Sequence, residues 1–336
     1  MKAIVHHEYG PPEVLSIEEV HKPELRENDI QVRVRATSVN YGDLVGRNFG
    51  NLSAAEFNMP AFMWLPARLL FGFNKPRKGI LGSEFAGDVE ATGNKVTQFK
   101  KGDAVFGYLG QKMGAYAEYI RMEATGVVTL KPHTMNYAEA TSVPYGAIMA
   151  LSILKKVRMK SGQKILINGA SGSIGSFAVQ IAKLYGAEVT GVCGTPRLEF
   201  VKKLGADRVI DYTREDFTQD RQTYDLIFDI LGKSSFSRCK NVLKPNGIYL
   251  LASFKTKQIF QMVTTSFKGN QKVICAIGSE KVEDLRTITK WIETGKMKSI
   301  VDKVFVMDQA VEAHHYVESR HKTGHVVIDM DNQPGI

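Results

Sequence analysis

The stretch Lys164-Ile-Leu-Ile-Asn-Gly-Ala-Ser-Gly-Ser-Ile-Gly175 runs an apolar strand straight into a glycine-rich turn and then into an apolar-periodic helix. Ala170, Gly172 and Gly175 occupy the GxGxxG spacing, with alanine first. A compact residue suits the tight turn. The missing side chain at the second position lets backbone approach a diphosphate, and the third position lets helix pack closely on strand. The helix N-terminus adds oriented N–H groups for an anion. This order predicts a dinucleotide-binding unit built on a parallel sheet.

The surrounding rhythm agrees. Apolar runs at Lys164 to Asn168, Glu188 to Cys193, Arg208 to Tyr212, Leu226 to Ile230, Ile248 to Ala252 and Val273 to Ile277 alternate with helical patterns such as Ser173 to Tyr185. Six such strands make a doubly wound α/β sheet, the Rossmann arrangement. Before about Glu123 the chain is strand-rich instead. In Ile30-Gln-Val-Arg-Val-Arg-Ala36 the apolar residues alternate with polar and charged ones, as in an antiparallel barrel or sandwich. The tail from Ser279 holds a helix at Val282 to Thr294, a stretch near Ile300 to Val306, a second helix beginning near Asp308 and a strand at His325 to Met330. It is best placed back in the first domain. The expected division is 1–125 plus 279–336 for a catalytic domain and 126–278 for an inserted nucleotide-binding domain.

An NAD-preferring site offers a carboxylate at the end of the second strand. Here that end reads Val192-Cys-Gly-Thr-Pro-Arg197. Thr195 and Arg197 suit a 2′-phosphate, Arg197 by charge-assisted contacts, and Tyr212 at the end of the third strand supplies another hydroxyl. NADPH is the expected cofactor. The net charge of +9 favours anionic ligands, but its basic residues read as scattered, so no DNA partner is expected. Three cysteines are too few for a disulfide framework or a closed metal site. With no run of 18 apolar residues and no secretory signal at Met1 to Tyr9, a cytoplasmic location is expected.

Further landmarks are Ala36-Thr-Ser-Val-Asn-Tyr-Gly-Asp43, Leu81-Gly-Ser-Glu-Phe-Ala-Gly87, Lys101-Gly-Asp-Ala-Val-Phe-Gly107, Lys203-Leu-Gly-Ala-Asp-Arg-Val-Ile-Asp-Tyr212 and Gly324-His-Val-Val-Ile328. With the glycine loop, these make the chain resemble the medium-chain dehydrogenase/reductase superfamily over nearly its whole length. The resemblance implies a GroES-like β-barrel catalytic domain carrying the Rossmann insert. Zinc-dependent members place cysteine where Asn40 stands and histidine where Ser83 stands. Asparagine and serine are poor replacements for those ligands, so no metal is expected, and the likeness is to the zinc-independent quinone oxidoreductase and alkenal reductase branch. It implies Asn40 as a polar group near the nicotinamide or substrate carbonyl, Tyr41 as a proton donor and Asp43 as an orienting neighbour. A structural turn between strand and helix is the other reading of these residues. The resemblance also places Ser173 and Ile174 on the diphosphate, Leu231 and Ser253 near the adenosine or nicotinamide rim, and Lys322 with Gly324 beside the nicotinamide. Tyr145 borders the same site or fills the core. Pairing of the Lys272 to Ile277 strand across an open sheet edge implies a homodimer.

Between Asn51 and Gly79 the chain is dense in apolar residues, among them Phe57 and Trp64. A wall or lid over a flat, apolar substrate is the leading expectation. A packed helix, a dimer contact and shallow membrane association stay open. Without a Lewis acid, hydride delivery to an acceptor that is already electrophilic is the easier chemistry. The chain therefore reads as an NADPH-dependent reductase of quinones or α,β-unsaturated carbonyl compounds. Enoyl reduction in lipid or polyketide chemistry, or NADPH sensing or RNA association without turnover, are the alternatives.

Overall fold

The computed structural model describes residues 1–77, 79–267, 270–319 and 321–331. The chain divides into two compact units. One comprises Met1–Leu52, Pro66–Tyr145 and the chain from Glu280 onward; the other comprises Ser53–Leu65 and Gly146–Ser279.

The second unit is built on six parallel strands. From edge to edge they run Arg208–Asp211, Glu188–Cys193, Lys164–Asn168, Tyr224–Asp229, Leu243–Leu251 and Lys272–Cys275. The strand that is first in sequence lies in the interior, so the order reverses between Lys164–Asn168 and Tyr224–Asp229. That reversal opens the crevice at which such sheets bind ligands. Ile165, Leu166 and Ile167 are fully buried, as a strand covered on both faces requires. The helix Ser173–Leu184 that follows the glycine turn is buried at every position from Gly175 to Ala182. The fifth strand starts earlier than its apolar run suggests. Pro245-Asn246-Gly247 reads as a turn, yet it lies within the strand, with Asn246 at φ 63° and an irregular register against Tyr224–Asp229.

The first unit is a barrel-like sheet ordered Val301–Val306, His325–Asp329, Asp29–Val39, Glu84–Thr92, Ala104–Tyr108 and Val127–Leu130, with Tyr119–Glu123 also pairing to Asp29–Val39. Its ladders are antiparallel except the one between Val301–Val306 and His325–Asp329. The tail strand pairs Val326 with Val39 and Val327 with Ser38, so the last part of the chain completes a sheet begun near its start. Ile30, Val32, Val34, Phe85, Val105, Val326 and Ile328 share its core. The charged residues between the apolar ones have defined partners. Arg35 bonds Asp88 at 2.7 Å and Asp331 at 2.5 Å, while Gln31 donates to the Pro23 carbonyl at 2.7 Å.

The apolar stretch after Asn51 forms a short 3-10 turn at Ala61–Met63 and the helix Trp64–Phe71. No residue of that helix is buried, and Phe57 is only half-buried.

Candidate functional site

In the first unit, Asn40 sits where the strand Asp29–Val39 turns into the helix Tyr41–Arg47, and its extended backbone makes it the N-cap. Its Oδ1 accepts from the N–H groups of Gly42 at 2.8 Å and Asp43 at 3.4 Å. Asp43 closes the capping box by accepting the Asn40 N–H at 2.9 Å. The amide nitrogen of Asn40 donates to Ser83 Oγ at 2.9 Å and to Glu84 Oε2 at 3.2 Å. The two positions that hold metal ligands in zinc-dependent relatives therefore hydrogen-bond each other. Among the described residues, no group of three or more His, Cys, Asp or Glu side chains has a metal-binding arrangement.

Asn40 is almost wholly buried, and both of its amide heteroatoms are engaged inside the protein. Of the two readings of Asn40, a polar group near the nicotinamide or substrate carbonyl and a structural turn, these bonds display the turn. Its geometry is that of a positioning residue. Tyr41, next in the chain, is 58% exposed.

Asp43 is fully buried and accepts a second N–H, from Gly82, at 3.0 Å. Burial pushes its carboxyl up to about 7 against the opposing pull of these hydrogen bonds. Behind it runs a polar chain. Arg47 donates to the Gly10 carbonyl at 3.1 Å, to His314 Nδ1 at 2.7 Å and to Glu318. A guanidinium can only donate, so Nδ1 accepts and the ring proton sits on Nε2. Nε2 then donates to the Tyr116 hydroxyl at 3.1 Å, which leaves that hydroxyl to donate to Asp43. Burial lowers the His314 pKa to about 3, in keeping with the neutral ring this chain requires.

Glu84, which residue-pattern reasoning passed over, is the hub of the site. Its Oε2 accepts from the Ser38 hydroxyl and Asn40, and its Oε1 accepts from the Tyr145 N–H at 2.7 Å. Burial raises its pKa to about 7, while Ser38, Tyr145, Asn40 and the Lys322 ammonium work the other way. The Tyr145 ring lies 5.9 Å from that of Tyr108, and burial pushes its hydroxyl up to about 12. Lys322 reaches this neighbourhood because it immediately precedes the tail strand; its Nζ donates to the Gly324 carbonyl at 3.3 Å. Gly324 has a packing reason as well, since a Cβ there would stand 2.4 Å from the Ile300 carbonyl oxygen.

In the second unit the glycine loop shows how a diphosphate would be held. The left-handed turn residue is Gly169, at φ 92°, not Ala170. Ala170 is buried instead and donates to the Val192 carbonyl at 3.1 Å. Gly172 caps the helix without a side chain, which leaves the first-turn N–H groups at Ser173 and Ile174 to a ligand. A Cβ at Gly175 would lie 2.0 Å from the Gly169 carbonyl oxygen, so this glycine is needed for helix to approach strand. Leu231 is half-exposed and stands over the turn, its Cγ 3.2 Å from where a Gly169 Cβ would be. Ser253 backs the same loop: its carbonyl oxygen is 2.5 Å from a Gly232 Cβ position. Asp229, also missed from sequence, ties these parts together. It accepts from Asn168 at 2.9 Å, Tyr249 at 2.7 Å, Gly232 N at 3.1 Å and Ser234 N at 3.0 Å.

No carboxylate ends the second strand, but the parallel register sets Asp211 of the third strand beside Cys193. Asp211 accepts the Thr195 hydroxyl at 2.5 Å and that of Thr213 at 2.7 Å. The Thr195 and Thr213 hydrogen bonds hold its carboxyl below the usual range, and they engage the Thr195 hydroxyl. Arg197 and Tyr212 converge instead: a Cβ on Gly194 would meet Tyr212 Oη at 3.2 Å and Arg197 Nη2 at 3.4 Å. Arg197 Nε is buried with no partner among the described residues. An orphaned donor beside a side-chain-free backbone fits an incoming anion.

A glycine-cradled parallel sheet together with a barrel unit defines a nucleotide-dependent oxidoreductase. Residues 26–132 match the alcohol dehydrogenase GroES-like domain family, and residues 204–328 match the zinc-binding dehydrogenase family. The chain belongs to the medium-chain dehydrogenase/reductase superfamily, in its zinc-independent branch. It is 30% identical to a 2-methylene-furan-3-one reductase of Solanum lycopersicum, over 98% of this chain and 79% of that protein. It is also 30% identical, with the same coverage, to a chloroplastic NADPH-dependent alkenal/one oxidoreductase of Arabidopsis thaliana. The solved quinone oxidoreductase of Coxiella burnetii superposes with a TM-score of 0.84 at 27% identity, covering 98% of this chain and 99% of that one.

Glu84 makes a pH-dependent prediction. Its folded pKa is raised, so the stability tied to its protonation is present at low pH and is lost as pH rises toward about 7. Glu84→Gln keeps the shape but abolishes that titration and sets an NH2 group against donors. The variant should cost roughly 1–3 kcal/mol near pH 5. That cost should shrink by roughly 2 kcal/mol by pH 8, as measured by urea unfolding; a pH-independent cost would refute the assignment.

Proposed function

We propose that this chain is an NADPH-dependent reductase of quinones and α,β-unsaturated carbonyl compounds. The carrying observation is the hydrogen bond between Asn40 and Ser83, because it engages, with each other, the two groups that would otherwise have to polarise an alcohol or simple ketone through a metal. The acceptor must then bring its own electrophilicity, as quinones, enals, enones and enoyl thioesters do. The relatives support this reading through the reductions their names record.

NADPH, when bound, supplies the hydride. Gly172, Ser173 and Ile174 hold the diphosphate, with Ala170 and Gly175 shaping the loop. Arg197 and Tyr212 hold the 2′-phosphate, Thr195 supports that loop through Asp211, and Leu231 and Ser253 border the ring. Lys322 and Gly324 serve the nicotinamide from the tail, and Phe57, Trp64 and Tyr145 contact the acceptor. For a conjugated carbonyl, two electrons and a hydrogen arrive at the β-carbon, and the negative charge moves onto the carbonyl oxygen. A proton from Tyr41 or from water then completes the reduction. Asn40, Asp43 and Glu84 hold the backbone that presents Tyr41. The strand Lys272–Cys275, paired on one side only within its sheet, pairs with its equivalent in a homodimer.

Four outcomes test these proposals. Steady-state assays should show NADPH consumption with quinones or enals and none with simple ketones. Tyr41→Phe should lower kcat by roughly a hundredfold while leaving the NADPH Kd unchanged; an unchanged kcat would remove Tyr41 as donor. Arg197→Ala should weaken NADPH binding by about tenfold or more and leave NADH binding nearly untouched, with equal losses sinking the phosphate assignment. Light scattering should report twice the chain mass, and a concentration-independent monomer would rule out the dimer.

A further inference from the structure

The positive charge of this chain is concentrated, contrary to its scattered look in the sequence. Of 44 basic and 35 acidic residues, eight basic and no acidic ones fall in residues 57–79 and 254–279; the remainder is balanced, 36 against 35. The two segments thus account for nearly the whole surplus of +9. Both segments also carry exposed apolar side chains. Four phenylalanines are exposed among the described residues, namely Phe62, Phe73, Phe260 and Phe267, and all four lie in these segments.

Within the second unit, the helix Thr256–Phe267 is apolar on both sides. Ile259 and Met262 pack onto the unit's core. Phe260, Val263 and Phe267 share the outward side and are 70%, 47% and 83% exposed. Lys257 and Lys272 are exposed beside them. The 57–65 segment meets this helix: Lys255 Nζ donates to the carbonyls of Ala55 at 2.9 Å and of Phe57. Met59 packs against the same core as Ile259 and Met262. Phe62 and Leu65 of that segment are exposed by 66% and 52%.

A surface helix normally turns charge outward. Exposed phenylalanines bordered by lysines match an environment that is both apolar and negative. An anionic bilayer surface supplies both. A second copy of the same face would supply apolar contact but set lysine against lysine, since two-fold contact places each patch against itself. Among the described residues no helix is long and apolar enough to cross a membrane, so contact by this face would be interfacial. We propose that the face formed by the helix Thr256–Phe267 and residues 57–65 docks onto anionic lipid. The proposal is independent of which acceptor the site reduces.

The test is sedimentation of the full chain with vesicles of phosphatidylcholine alone or of equal parts phosphatidylcholine and phosphatidylserine. The chain should pellet with the mixed vesicles and stay in solution with the neutral ones. Lys257→Gln should reduce partitioning by about fivefold. Phe260→Ser with Phe267→Ser should abolish pelleting, with circular dichroism and turnover of a water-soluble quinone unchanged. No pelleting with either vesicle, or equal pelleting with both, would overturn the proposal. So would phenylalanine variants that lower the mass seen by light scattering but leave pelleting intact, because the face would then be a contact between copies.

Discussion

Hydrogen bonding between the strands Asp29–Val39 and His325–Asp329 is the constraint on which the first unit depends. It joins Val39 to Val326 and Ser38 to Val327 across most of the chain. Closing so long a loop is entropically unfavourable, though the cost grows only slowly with length. The pairing recovers it by burying Val39, Val326, Val327 and Ile328. With that ladder in place, the barrel core is complete and Lys322 stands within electrostatic reach of Glu84. Asn40 follows the end of the same strand, so sheet closure and the Asn40 network rest on one element.

Around Asn40, hydrogen-bond donors and acceptors are used up inside the protein. The amide serves the helix cap on one side and Ser83 with Glu84 on the other. Asp43 receives Asn40 N, Gly82 N and, at the end of the Arg47–His314–Tyr116 chain, a hydroxyl. Arg47 sets the direction of that chain because it has no lone pair to offer. Buried networks are costly when half-satisfied and rigid when complete. This one holds a loop in place where relatives with zinc use a metal, and the proposed chemistry follows from that difference.

Much of the architecture was legible in residue order. The glycine loop, the six apolar runs and the tail elements appear at or near their expected places, because apolar periodicity and turn residues are local properties. The three residues that organise the site, Glu84, Asp211 and Asp229, were not legible. A carboxylate looks the same in sequence whether it is solvated or a hub; Glu84 finds its partners far along the chain, while Asp211 and Asp229 join near neighbours to residues of other segments. Asn40 reads in sequence as a polar group near the nicotinamide or substrate carbonyl or as a turn residue, and its hydrogen bonds to Ser83 and Glu84 are visible only once two strands are aligned. Thr195 reads in sequence as a phosphate contact, and the bond from its hydroxyl to Asp211 is visible only from the parallel register.

Residue order and spacing suffice for the parallel sheet, the nucleotide loop and the replacement of zinc ligands at positions 40 and 83, since each rests on residue identity and on contacts between near neighbours. Tertiary structure alone decided which carboxylates are buried, which donor of Arg197 is left without a partner among the described residues, and that phenylalanines of the lysine-bearing segments are left exposed. Those properties depend on which distant strands and helices come together and on what they leave uncovered.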